Sequence, residues 1–242
     1  MKFNQLRRLG WDTETTGPNP LEARIVTAAI VVRGGNLEDR TFSFVINPGV
    51  PIPPEATEIH GIDDARVQAD GADPKHALEE VAGHLAAALR YGMPVVAFNH
   101  SFDWTVLHHD LERHGLPPMT ERLETEPFTL LDPHVIDKQC TPRVRGKGLR
   151  KLKPTCERYG VALEDWHTAE ADALAALLLT DAQFSYHPQL EDMSPRQLYA
   201  AQKAWRAEQQ AGLQEYLQQS NPRAYCSPEW PLLTAQSRGE QS

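Results

Sequence analysis

Apolar and polar positions change their period along this 242-residue chain, and the changes mark out its elements. Arg8 to Asp12 is a short strand-like stretch that runs straight into an acidic motif. Ile25-Val26-Thr27-Ala28-Ala29-Ile30-Val31-Val32 is a β-branched run closed by Gly34-Gly35, which predicts a strand and a hairpin turn. Thr41 to Ile46 alternates until Asn47-Pro48-Gly49 stops it, so three strands in quick succession predict an antiparallel meander. The segment from Pro48 to Ile62 is expected to be a proline-punctuated loop. Asp73 then caps a helix with Pro74 at its first position, and Leu78, Val81, Ala82, Leu85 and Leu89 follow at helical spacing. Val95 to Phe98 is a compact apolar strand, Phe102 to His114 a helix ended by Gly115, and Phe128 to Asp132 a further strand. Leu149, Leu152, Cys156 and Tyr159 mark a helical face before Gly160, with Pro154 obscuring its start. Thr168 caps an Ala/Leu-rich helix running through Thr180.

Ser194-Pro195-Arg196-Gln197 has the form of a capping box. Leu198, Ala201, Trp205, Leu213, Tyr216 and Leu217 trace a loose stripe after it, as in a one-sided surface helix. From Asn221 the chain reads as irregular, and its last eight or so residues as disordered. A meander followed by strands alternating with helices predicts an α/β domain built on a mixed five-stranded sheet flanked by helices. The expected division is a domain over residues 1–187 and a C-terminal helical extension with an irregular tail over residues 188–242.

Hydrophobic content of 40% and 24% charged residues fit a globular chain with a sizeable core. A formal charge of −9 excludes a general polyanion binder held to nucleic acid by bulk electrostatics. Cys140, Cys156 and Cys226 lie far apart with no C-x-x-C pair, so neither a disulfide framework nor a zinc site is expected. Residues 1–7 lack the apolar run of a signal peptide, and no stretch of about 18 apolar residues occurs. A cytoplasmic protein without a membrane partner is expected.

Asp12 and Glu14, two residues apart at a strand end, point their carboxylates the same way. Alone the pair reads as a solvated acidic turn; Thr15-Thr16-Gly17 after it suits contact with a phosphate or sugar. Asp103 sits where a buried strand gives way to a helix, a usual place for α/β sites, although an acid in a first turn is also ordinary dipole chemistry. His167 precedes the Thr168 cap and Asp172 follows in the first turns, so the two can converge on one point. Glu170 and Asp165 are nearby acids without that relation. Hard carboxylate oxygens suit Mg²⁺ or Mn²⁺ rather than zinc. Two such ions about 4 Å apart can activate a water and stabilise a departing oxygen, and a neutral His with a pKa of about 6.5 can accept the water's proton.

These motifs resemble those of the DnaQ-like 3′–5′ exonucleases of the DEDDh type, the family containing the epsilon proofreading subunit of bacterial DNA polymerase III. Asp12-Thr13-Glu14-Thr15-Thr16-Gly17 matches the first motif, Asn99 with Phe102-Asp103 the second, and His167 with Asp172 the third. Ile59-His60-Gly61-Ile62 matches an intermediate segment. The resemblance covers about residues 8–182. It implies a ribonuclease-H-like fold and removal of nucleoside 5′-monophosphates from a free 3′ end of single-stranded or frayed DNA. It implies that Asp12, Glu14, Asp103 and Asp172 bind two divalent ions, Mg²⁺ or Mn²⁺, with His167 as general base. Thr15 would approach the terminal nucleotide, and Ile59 and His60 would hold its base or sugar. Asn99 is either a substrate contact or a hydrogen-bonding strut beneath Asp103. His100 departs from the small residue common in the family. A DNA polymerase or repair partner fits the resemblance but does not follow from the motifs.

Arg143 to Lys153 holds six basic residues in eleven and either tracks phosphates or forms a solvated loop. Trp104, Trp166 and Trp205 are assigned to core packing. His108, His109 and His114 match no metal-ligand spacing and are expected on a helix surface. Two other readings stay open: an exoribonuclease trimming RNA or short oligonucleotides, and a catalytically idle nucleic-acid-binding scaffold. The second would have no need of four mutually repelling acids.

Overall fold

The computed structural model describes residues 2–162 and 168–234. A short 3-10 turn at Phe3–Gln5 leads into β1 (Arg8–Thr15), β2 (Ile25–Arg33) and β3 (Arg40–Val45). These pair antiparallel as the meander reading predicts. Next come α1 (Pro54–His60), α2 (Asp64–Asp70), α3 (Pro74–Arg90), β4 (Val95–Val96) and α4 (Ser101–Arg113). The chain continues through α5 (Met119–Arg122), β5 (Leu130–Leu131), α6 (Pro133–Cys140), α7 (Leu152–Arg158), α8 (Ala169–Tyr186) and α9 (Pro195–Gln218). Five strands lie in the order β3-β2-β1-β4-β5, with β1, β4 and β5 parallel. This is the mixed five-stranded α/β sheet expected from the sequence.

One sheet face sends Leu9, Trp11, Ala28 and Ile30 into a core shared with Leu78, Val81 and Leu85 of α3 and Leu107 and Leu111 of α4. The other face packs Val31 and Val96 against Ala173, Ala176 and Leu177 of α8. Gly10 lets α8 approach β1: a Cβ there would stand 2.5 Å from the Ala173 carbonyl oxygen. That close approach brings the first turns of α8 to the end of β1.

Four local readings change. The segment from Pro48 to Ile62 is not all loop, because Pro54 takes the first position of α1, where its missing N–H costs nothing. Gly61 ends that helix at φ 73°. Helix α7 starts at Leu152, so Pro154 falls in a first turn whose N–H groups have no intrahelical partner. Strands β4 and β5 keep only two ladder residues each; beyond β4 the chain lifts into a turn with Asn99 left-handed at φ 62°.

Helix α9 carries the expected capping box, but not the expected stripe. Its buried positions are Leu198, Tyr199, Gln202, Arg206 and Gln210, whereas Leu213, Tyr216 and Leu217 are exposed. Gln202 is buried because it closes the edge of β5: Asp132 N donates to its Oε1 (2.7 Å), and its Nε2 donates to Leu130 O (3.1 Å). After the helix, Trp230 returns to the main core beside Tyr199. Residues 235–242, expected to be disordered, lie outside the described residues. Among the described residues no helix is long and apolar enough to cross a membrane.

Candidate active site

The parallel strands β1, β4 and β5 end at the same edge of the sheet, and the acidic residues gather there. Alternation along β1 buries Thr13 and Thr15 and leaves Asp12 and Glu14 half-buried on one side. A register break between Glu14 and Thr15 ends the regular pairing with β2. Asp172 comes from the first turn of α8, which Thr168 caps by accepting from Ala171 N. One carboxylate oxygen each of Asp12, Glu14 and Asp172 lies within 4.8 Å of the others. Asp103, in the first turn of α4, is buried beside them and held from β1: its Oδ1 accepts from Thr13 N (3.0 Å) and Thr13 Oγ1 (2.7 Å).

Such a group is electrostatically costly without cations. Burial first, then the charges of Asp103, Asp172 and Glu14, raises Asp12 well above the usual carboxylate range. Burial, with Asp172 and Asp103, pushes Glu14 up to about 7. Asp103 also rises to about 7 through burial, although the Thr13 hydrogen bonds oppose the shift. Carboxylates that resist ionisation together are suited to hold divalent cations through hard oxygen donors.

Asp132, which sequence reasoning passed over as a strand end, organises the ground beneath Asp103. Fully buried, it accepts from Asn99 N and His100 N, each at 3.0 Å, and from Trp230 Nε1 at 3.3 Å. It also caps α6 by accepting from His134 N. A cap followed by Pro133 was the available signal. His100 proves structural: its Nε2 accepts from Trp11 Nε1 (3.1 Å), and its Nδ1 lies 3.1 Å from Leu131 O. Burial pulls its pKa down to about 4, so the ring stays neutral. Asn99 is tied to Asp132 by its main chain, in keeping with a strut.

The secondary positions fall near this edge to different degrees. Thr15 is buried, and its Oγ1 donates to Gly17 O. The His60 ring lies against the Thr15 main chain, and burial lowers its pKa. Ile59 is exposed on α1, an apolar side chain left facing solvent. Leu163 to His167 lie outside the described residues, so the structure says nothing of His167, Asp165 or Trp166. Glu170 is hydrogen-bonded to Ser43 on β3, apart from the cluster.

The basic segment divides. Arg150 turns inward with Arg158 onto the buried Asp137, at 2.6 and 2.7 Å. Arg143, Arg145, Lys147 and Lys151 are exposed. Trp104 is buried in the core and Trp205 packs against it. His108 and His109 depart from the surface reading: both are half-buried on α4 and turn toward Glu112.

An exonuclease family model matches residues 9–180. The chain is 31% identical over 166 residues to the PolC-type DNA polymerase III of Streptococcus thermophilus, covering 68% of this chain and 10% of the polymerase. To that of Streptococcus mutans it is 29% identical over 177 residues, 72% of this chain and 11% of the polymerase. The chain thus spans about a tenth of these relatives. Among solved structures, the E. coli exonuclease I–ssDNA complex in its zinc-ion-bound form aligns with TM-score 0.64 and 20% identity over 78% of this chain and 42% of that one. Exonuclease I of Methylocaldum szegediense aligns with TM-score 0.63 and 20% identity over 76% and 42%. At these identities the likeness to solved structures concerns the fold.

Proposed function

We propose, from the premise that the chain belongs to the DnaQ-like 3′–5′ exonuclease family, that it removes nucleoside 5′-monophosphates from the 3′ end of single-stranded or frayed DNA. The observation carrying this reading is the meeting of Asp12, Glu14 and Asp172 within 4.8 Å at a sheet edge, with Asp103 buried beside them. Such a group fits divalent ions, because their charge offsets the repulsion that raises Asp12, Glu14 and Asp103. Asp12, Glu14, Asp103 and Asp172 would hold two Mg²⁺ or Mn²⁺ ions, which when bound supply water activation and neutralisation of the departing oxygen.

The remaining work falls to the chain's own groups. Thr13 fixes the orientation of the Asp103 carboxylate from two donors. His167 is assigned the proton of the attacking water, an assignment that rests on its place five residues before Asp172 in the family motif. Thr15, with His60 against its main chain and Ile59 exposed nearby, would seat the terminal nucleotide. Asn99 would act from below, through the Asp132 contact. The PolC-type relatives support a polymerase or repair setting, and three unpaired cysteines support a cytoplasmic one.

The test uses matched DNA and RNA oligonucleotides, labelled at the 5′ end and resolved base by base. A ladder shortening from the 3′ end with Mg²⁺ or Mn²⁺, abolished by EDTA and faster on DNA, is expected. Faster shortening of RNA would move the assignment to RNA trimming. Binding without shortening under either ion would leave a nucleic-acid scaffold.

A further inference from the structure

Helix α4 carries a second set of ligating atoms, one turn and more beyond Asp103. His108 Nε2 lies 3.4 Å from one Glu112 oxygen, and His109 Nδ1 lies 3.3 Å from the other. One ligating atom from each of the three residues falls within 4.8 Å of the rest. Helical geometry explains the grouping, since Glu112 stands four residues after His108 and three after His109, between them on the same face. The side chains of His108 and His109 are 14% and 24% exposed and that of Glu112 is 51% exposed, so an ion has an entrance past the carboxylate.

The separations discriminate between two explanations. A charge-assisted N–H···O bond is about 2.7–2.9 Å long, and both contacts exceed that by roughly half an ångström. Two donors about 2.0–2.1 Å from one tetrahedral ion are about 3.3–3.4 Å apart, which is the spacing found. Charge agrees with this. Glu121 of α5 acts on His108 together with Glu112, so two carboxylates face two imidazoles and balance a divalent cation. Burial lowers the His108 pKa and keeps its lone pair available. Paired imidazoles with one carboxylate suit zinc, whereas the all-carboxylate group at the sheet edge suits Mg²⁺ or Mn²⁺.

We propose that His108, His109 and Glu112 form a Zn²⁺-binding site separate from the carboxylate cluster. An ion there would clip the C-terminal half of the helix whose first turn bears Asp103. The inference does not depend on the nuclease reading, and its readout is binding rather than activity.

The experiment is calorimetric titration of the full chain with Zn²⁺ in an Asp12→Asn, Asp172→Asn background, which disables the carboxylate cluster. One bound Zn²⁺ is expected, with a rise in melting temperature. Adding Glu112→Gln, a change at a half-exposed position, is expected to weaken binding by about 10–100-fold or more and remove the thermal rise. Paired His108→Ala and His109→Ala should do the same. Co²⁺ in place of Zn²⁺ should give tetrahedral visible bands that Glu112→Gln abolishes. Zn²⁺ binding unchanged by Glu112→Gln and by the paired histidine variant would overturn the assignment. So would a folded background protein that takes up no Zn²⁺.

Discussion

Replacing Glu14 by Gln should stabilise the ion-free protein at alkaline pH, and the size of the effect follows from the site's electrostatics. Glu14 rises from 4.5 to about 7, first through burial, then through Asp172 and Asp103. At about 1.4 kcal/mol per tenfold change in proton affinity, holding that carboxylate ionised costs about 3 kcal/mol. Water at the half-buried side chain screens part of this, leaving about 1–3 kcal/mol. Because the folded-state value is raised, both states are protonated below the unfolded value of 4.5 and the cost is absent there. It grows as pH rises from 4.5 and is complete above about 7. For a chain of this size, about 2–4 °C per kcal/mol gives a gain of about 2–12 °C for Glu14→Gln at pH 8 in EDTA. Little or no gain should appear near pH 4. Adding Mn²⁺ should close the gap, since the ion stabilises the wild type in proportion to its binding. Melting curves at the two pH values, with and without Mn²⁺, make the measurement. A variant no more stable than wild type at pH 8, or equally stabilised at both pH values, would refute the reasoning.

Other outcomes follow from particular contacts. Gly10→Ala would set a Cβ 2.5 Å from the Ala173 carbonyl oxygen; it should cost about 1–3 kcal/mol in denaturant unfolding and slow hydrolysis at least tenfold by displacing Asp172, and a wild-type rate would disconnect α8 packing from the site. Asp172→Ala and His167→Ala should each lower the oligonucleotide shortening rate by orders of magnitude while leaving the melting temperature near that of wild type; unchanged rates in both would remove them from the mechanism. Gln202→Ala strands Asp132 N and Leu130 O, so chemical denaturation should register a loss of about 1–3 kcal/mol; a neutral result would mean that water replaces the side chain at the β5 edge.

The sequence was legible where one physical signal dominated. The β-branched run over β2, the Asp73-Pro74 and Ser194 caps and the alternation along β1 all appear as the residues imply. Proline obscured the rest: Pro54 and Pro133 were taken for breaks or passed over, yet each sits at the first position of a helix. Hydropathy could not identify the buried side of α9, because Gln202 is buried for its hydrogen bonds and Arg206 lies beside Asp132 rather than in apolar packing. The same limit hid Asp132, whose importance comes from donors contributed by Asn99, His100 and Trp230, far from it in sequence. The Asp12–Glu14 pair could be placed on one face from strand alternation alone, but its meeting with Asp172 depends on Gly10 and the close packing of α8.

Equilibrium Mn²⁺ binding to the full chain tests the metal cradle most directly, using a His108→Ala, His109→Ala background so that only the carboxylates are counted. Two ions per chain are predicted in the presence of an oligonucleotide, with uptake lost when Asp12 and Asp172 are both changed to Asn. Undiminished Mn²⁺ uptake in that variant would contradict the account.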